Sequence, residues 1–153
     1  MQRVKTIFVA TFSLFVVTVT GAMCALCLDT VYFNSLILPP YVLPPFTFSL
    51  FAGVIYILFT FILTNGIMHS RKHTELFYVI STLLFLNIMY MLVFFRLRYE
   101  MTSIFILSIQ IILLYILLKH CTLNLSSVLP VVLLIIIYTY FFVVNYGIIL
   151  LNG

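Results

Sequence analysis

Charged residues fall at only five places along this chain, and long uncharged runs lie between them. The first run, Ile7–Leu28, covers 22 residues. A helix rises about 1.5 Å per residue, so ~20 apolar residues cross a hydrocarbon layer of ~30 Å. Read this way, the pattern predicts helical spans over 7–28, 46–65, 76–95, 101–118 and 126–151. Gly66 reads as the stop of the second span, since glycine adopts a positive φ freely at a helix C-terminus. Short polar links between later spans predict antiparallel neighbours. The expected fold is all-α, a five-transmembrane-helix bundle forming a single domain over 1–153. The first run follows Arg3 and Lys5, as the apolar core of a signal peptide would. It exceeds the ~7–15 residues of such a core and has no clean small-residue cleavage site, so it reads as a retained span.

The connection over 29–45, DTVYFNSLILPPYVLPP, differs from the others. A solvated flexible link would be rich in Gly, Ser and charge. This one is apolar and aromatic, and it carries Pro39-Pro40 and Pro44-Pro45. Proline has no N–H to donate and is tolerated in a helix mainly at its first turn. The two proline pairs therefore predict an extended bend, and the whole connection a lid folded down on the bundle mouth and feeding the second span at Phe46.

Composition supports the same class. Hydrophobic residues make up 65% of the 153 and charged residues 7%, against about 25% charge in ordinary domains. A water-soluble domain of this length could not hide so much apolar surface. The expectation is a multi-pass integral membrane protein, of a bacterial cell membrane or an organelle membrane, with the lipid bilayer as its first partner. The net charge of +4 is too dilute for nucleic-acid binding. It serves better as a topology signal. Arg3, Lys5, Arg71, Lys72 and Lys119 would share one side and Arg96 and Arg98 the other, which places the N-terminus inside.

Enzyme chemistry finds no players. Asp29, Glu75 and Glu100 are the only carboxylates, and each lies near a membrane edge. No glycine-rich phosphate loop, HExxH or GxSxG is present. No catalytic residue is assigned and no enzymatic activity is expected. No metal site is assigned either. Cys24 and Cys27 read as small packing residues, and His69, His73, His120 and Cys121 as part of a basic interfacial rim. Polar groups within spans are costly and find partners. Asn87 and Gln110 thus read as interhelical hydrogen-bonding groups or as ligand-orienting amides. Asn145 and Asn152 stand seven apart, on one helix face. There are 16 Phe and 10 Tyr but no Trp. Tyr32, Tyr41, Phe46, Phe48 and Tyr56 gather on or beside the proline-rich stretch, as an interface belt or as the wall of an apolar pocket.

Several motifs, in matching order, resemble the TspO/translocator protein family. They are Val31-Tyr32, Ser35-Leu36 and Pro39; Pro44-Pro45-Phe46 through Ile55-Tyr56; Leu86-Asn87, Phe94-Phe95 and Arg98; and Asn145-Tyr146 with Asn152. The chain departs from the family in lacking Trp: Val31, Phe46, Ala52, Ile88 and Tyr90 stand where Trp is usual. Met91-Leu92 replaces paired prolines, Ile106 an acidic residue, and no Lys or Arg follows Tyr146 to complete a sterol motif. The resemblance implies a membrane receptor or carrier, with a tetrapyrrole such as porphyrin or haem as ligand rather than resident cofactor. It also implies a homodimer. The ligand-binding residues it implies are Tyr32, Pro44, Pro45, Phe46, Tyr56, Asn87, Tyr90, Phe94, Arg98, Asn145 and Tyr146, with Arg98 placed to meet a propionate. The competing expectation is a small structural or assembly subunit of a membrane complex, without a ligand.

Overall fold

A computed structural model describes the backbone of residues 2–69, 73–120 and 125–152. Side chains are described for these residues except 2–6, 8, 45, 46, 49, 66–69, 73, 74, 120 and 125–127. The described chain is helical: α1 Gln2–Cys27, α2 Thr30–Ser35, α3 Pro45–His69, α4 His73–Met91, a π-helical turn Leu92–Arg96, α5 Glu100–His120 and α6 Leu125–Asn152. Among the described residues, four stretches are long and apolar enough to cross a membrane: Val9–Cys27, Glu75–Arg96, Glu100–Lys119 and Val128–Asn152. Within α3 the described apolar stretch is shorter, Leu50–Asn65.

The helices close into a ring, α1 against α3, α3 against α6, α6 against α5, α5 against α4, and α4 back against α1. Helix α3 also touches α4 across the ring. Away from residues 29–45 much of the interior is filled by side chains. Phe59 and Leu63 of α3, Ile80 and Leu83 of α4, Leu107 and Leu114 of α5 and Leu134 of α6 are buried there. Threonine hydroxyls at this depth are satisfied within their own helices, as where Thr60 donates to the Tyr56 carbonyl at 2.9 Å and Thr64 to the Thr60 carbonyl at 2.8 Å. That local bond lets a hydroxyl sit in apolar surroundings without an unsatisfied group.

Two boundaries differ from the sequence pattern, at the ends of spans two and three, while Pro130 lies near the start of span five as expected. Helix α3 runs through Gly66 to His69, because glycine permits a stop but does not force one, and an open backbone bond in apolar surroundings is costly. Helix α6 holds Pro130 inside it, one turn from its start. The link after span three is an ordered π-turn. There Leu97 N–H donates to the Leu92 carbonyl and Tyr99 N–H to that of Val93, both at 3.0 Å. The chain then leaves through Arg98 at φ 58°, left-handed backbone that is uncommon outside glycine. The wider turn rotates Phe94 and Phe95 into the interior while Arg96 and Arg98 stay exposed.

Candidate functional site

The segment over 29–45 is a lid, and it is down. Asp29 starts it as an N-cap: its Oδ1 accepts from the Val31 and Tyr32 N–H groups, both at 3.1 Å. Such a cap satisfies donors that a short helix leaves open. The Val42 N–H donates to the Pro39 carbonyl at 3.0 Å, closing a β-turn. Thr47 donates through its N–H (2.9 Å) and its hydroxyl (2.7 Å) to the Pro44 carbonyl, which starts α3 at Pro45.

Four groups fasten this lid to the ring. The Asn152 amide pairs with the Ile37 backbone in both directions, each bond 2.9 Å. The Tyr140 hydroxyl accepts from the Leu43 N–H at 3.0 Å. The Tyr41 hydroxyl donates to the Val143 carbonyl at 3.4 Å. The Tyr32 hydroxyl donates to Glu100 Oε1 at 2.6 Å. Burial and that bond to Glu100 push the Tyr32 phenol above its ordinary pKa. Under the lid, Phe33 meets Phe48 edge-on at 5.5 Å, and Phe94 meets Phe95 at 4.9 Å.

Beneath the lid, and running on between α1 and α3, lies a cavity of about 1390 Å³. Thr30, Phe33 and Asn34 line its lid end, and Thr64 and Asn65 its far end. Its deep wall carries a polar chain. Asn87 Oδ1 accepts from the Tyr138 hydroxyl at 2.7 Å and from Gln110 Nε2 at 3.2 Å. One turn along α4, the Tyr90 hydroxyl accepts from Asn145 Nδ2 at 2.8 Å. The two bonds to its oxygen fix the Asn87 carboxamide, which leaves its NH₂ as the free donor end. Among the described residues, Asn145 Oδ1 and Gln110 Oε1 are buried without a partner. On α1, Gly21 makes room for the Tyr56 ring: a Cβ there would sit 3.1 Å from Tyr56 Cε2. The Tyr56 hydroxyl thereby reaches the Cys24 thiol, its hydrogen-bond partner.

Of the residues expected to bind a ligand, Tyr56, Asn87, Tyr90, Phe94 and Asn145 line this one cavity. Tyr90 and Phe94 stack at 5.9 Å. Tyr32, Pro44, Arg98 and Tyr146 do not line the cavity. Tyr32 is in the lid, its ring edge against Phe94 and its hydroxyl turned to Glu100. Pro44 is exposed at the lid's end. The side chains of Pro45 and Phe46 lie outside the described residues. Arg98 stands outside the lid, its side chain 62% exposed, 3.8 Å from Asp29 and over the Tyr32 ring at 5.0 Å. The left-handed backbone at Arg98 turns the chain away from the cavity. Tyr146 is exposed on the outer side of α6, because its neighbour Asn145 faces inward and successive helical residues are 100° apart.

Cys24 and Cys27 are free, and Cys24 lines the cavity. The group His69, His73, His120 and Cys121 lies outside the described residues. Sequence reasoning missed Gly21, Tyr138, Glu100 and Gly147. Only Glu100 carried a visible signal, as the one carboxylate beside the arginines after span three.

Replacing Tyr32 with Phe removes the bond to Glu100. A hydrogen bond to a partly exposed carboxylate contributes about 1 kcal/mol, a factor of about five in an opening equilibrium. Amide exchange over 30–43 is expected to speed up by that factor. In the unsubstituted protein the docked Tyr32 keeps its proton where a free phenol has lost it. Its contribution is therefore full below the ordinary phenol pKa of about 10 and falls as pH rises past it. Exchange in Tyr32→Phe should lack that alkaline rise. Comparison with protein-family models and with curated proteins finds no match to this sequence.

Proposed function

We propose that this protein is a TspO-like membrane receptor or carrier that holds a flat hydrophobic ligand, most naturally a tetrapyrrole, inside a five-span bundle. One observation carries the reading. A cavity of about 1390 Å³ lies under a hydrogen-bonded lid, walled by aromatic rings, with Asn87 and Asn145 at depth. Ligand pockets are mostly apolar, with a few placed polar groups, and run ~300–1,000 Å³. Counting α3 as the fifth span follows from its length. Its 25 residues extend roughly 37 Å at ~1.5 Å each, more than the hydrocarbon thickness. A homodimer in the membrane, with the N-terminus inside, completes the proposal.

Titration of the purified protein in nanodiscs with protoporphyrin, followed by absorbance, tests it. Saturable binding is expected. Asn87→Ala should weaken it about tenfold, the size of one lost orienting hydrogen bond with its partner left unpaired. Tyr146→Phe, on the outer face of α6, should bind as the parent does. Absence of saturable binding in the parent protein would defeat the reading and favour the structural-subunit alternative.

A further inference from the structure

We infer that the cavity opens sideways to the hydrocarbon layer, between α1 and α3, and takes an uncharged ligand dissolved in that layer. This rests on the ligand-holding role proposed above and specifies both the ligand's charge and its route.

The route follows from which walls are closed. At the lid end, hydrogen bonds from Tyr32, Ile37, Tyr41 and Leu43 fasten the segment to α5 and α6. Arg96 adds a bond from its Nη2 to the Leu26 carbonyl at 3.0 Å, tying the end of α1 to the π-turn. The α1–α3 side is different. Thr18, Ala22 and Ala25 of α1 line the cavity and are exposed as well. On α3, Ile57 and Phe61 line it while 69% and 44% exposed. Residues that face the cavity and the exterior at once mark its rim. Ala22 and Ala25 have little side chain to fill the seam. Thr18 and Ala22 lie well inside the apolar stretch Val9–Cys27, so this part of the rim sits at hydrocarbon depth, while Leu28, Thr30 and Asn34, which also line the cavity and are exposed, carry the rim on to the lid.

The charge follows from the lining. None of the described lining residues is charged; their polar groups are amides, hydroxyls and one thiol. Arg98, the cation nearest the lid, stands outside the cavity and is engaged with Asp29 and the Tyr32 ring. A carboxylate passing the seam into the cavity would lose its hydration and meet no counter-ion among the described lining residues, the nearby Arg96 being held at the outer end of α1 on the Leu26 carbonyl. A neutral molecule already dissolved among acyl chains loses no such hydration.

Protoporphyrin and its dimethyl ester share one ring and differ only in the two carboxylates. Both are titrated into nanodiscs holding the unsubstituted protein, with bound ligand referred to the concentration each reaches in the lipid. The ester is expected to bind at least tenfold tighter. Stopped-flow mixing then compares Ala22→Trp and Ala25→Phe, which narrow the seam, with Leu150→Trp on the exposed face of α6. The seam variants should slow ester association and dissociation at least tenfold together, and Leu150→Trp should change neither. Free acid binding as tightly as ester overturns the neutral-ligand assignment. Unchanged rates in the seam variants overturn the lateral mouth. Either result, with saturable porphyrin binding retained, leaves the receptor reading standing. Failure of the parent protein to bind either porphyrin overturns both.

Discussion

Gly147→Val is expected to lift the lid off α6. The Pro39–Val42 turn rests directly on the helix at this glycine. A Cβ built there would overlap the Tyr41 hydroxyl, meet Pro39 Cγ at 2.6 Å and touch Tyr41 Cζ at 3.1 Å. Neither neighbour yields cheaply. Pro39 is buried and its ring is part of the backbone; Tyr41 is held by its bond to the Val143 carbonyl. Overpacking at a tight contact costs about 1–3 kcal/mol, as much as one or two of the bonds that hold the lid. Even Gly147→Ala should raise lid opening roughly tenfold, and Val, with two more methyls, should exceed that. Amide exchange and limited proteolysis over 36–43 would read the opening, and ligand dissociation would quicken with it. Gly53 supplies the internal comparison. Nothing lies within 4 Å of a Cβ there, so Gly53→Ala should leave the lid closed and favour the helix by about 1 kcal/mol. Unchanged protection over 36–43 in Gly147→Val would show that the turn does not depend on this notch.

That contact shows where sequence reading stops in an apolar chain. The lid was legible because its chemistry differs from its surroundings: paired prolines, aromatics and Asp29 mark it off from plain helix. Asn87 and Asn145 were legible for the same reason, as amides at a depth where a polar group must have a use. Gln110 read as a hydrogen-bonding partner and is one, donating to Asn87. Gly147 and Gly21 gave no such contrast. In a soluble helix the polar face marks the outside, and the buried face follows by difference. In a helix bathed by lipid both faces are apolar, and helix contact is set by small residues and shape. Nothing in the letters of α6 therefore tells that Tyr138 points inward and Tyr146 outward. The direction of Arg98 was not legible for a local reason: the π-turn adds a residue to the last turn of the helix, so the regular 3.6-residue spacing no longer tells where later side chains point.

Asn87→Leu is expected to destabilise the bundle by about 2 kcal/mol, roughly a 30-fold shift toward the unfolded state. The Asn87 oxygen is the shared acceptor for the Tyr138 hydroxyl and the Gln110 amide. Tyr138 is 1% exposed and Gln110 fully buried, so neither finds water when that oxygen is removed. An unpaired buried donor costs about 1–3 kcal/mol, though interhelical bonds among membrane helices average nearer ~0.6 with a maximum of ~1.7. Two donors at the middle of that span give the figure. The cost belongs to the orphaned partners, so removing them should restore stability: Asn87→Leu with Tyr138→Phe and Gln110→Leu should unfold close to the parent in an SDS titration of mixed micelles. The triple variant then separates two roles that the single variant confounds. Folded but without the Asn87 amide, it should bind protoporphyrin about tenfold more weakly than the parent. A triple variant with parental stability and parental affinity would assign Asn87 to holding helices together and remove it from the ligand's contacts. A triple variant as unstable as Asn87→Leu would mean that packing, and not the unpaired hydroxyl and amide, sets the cost.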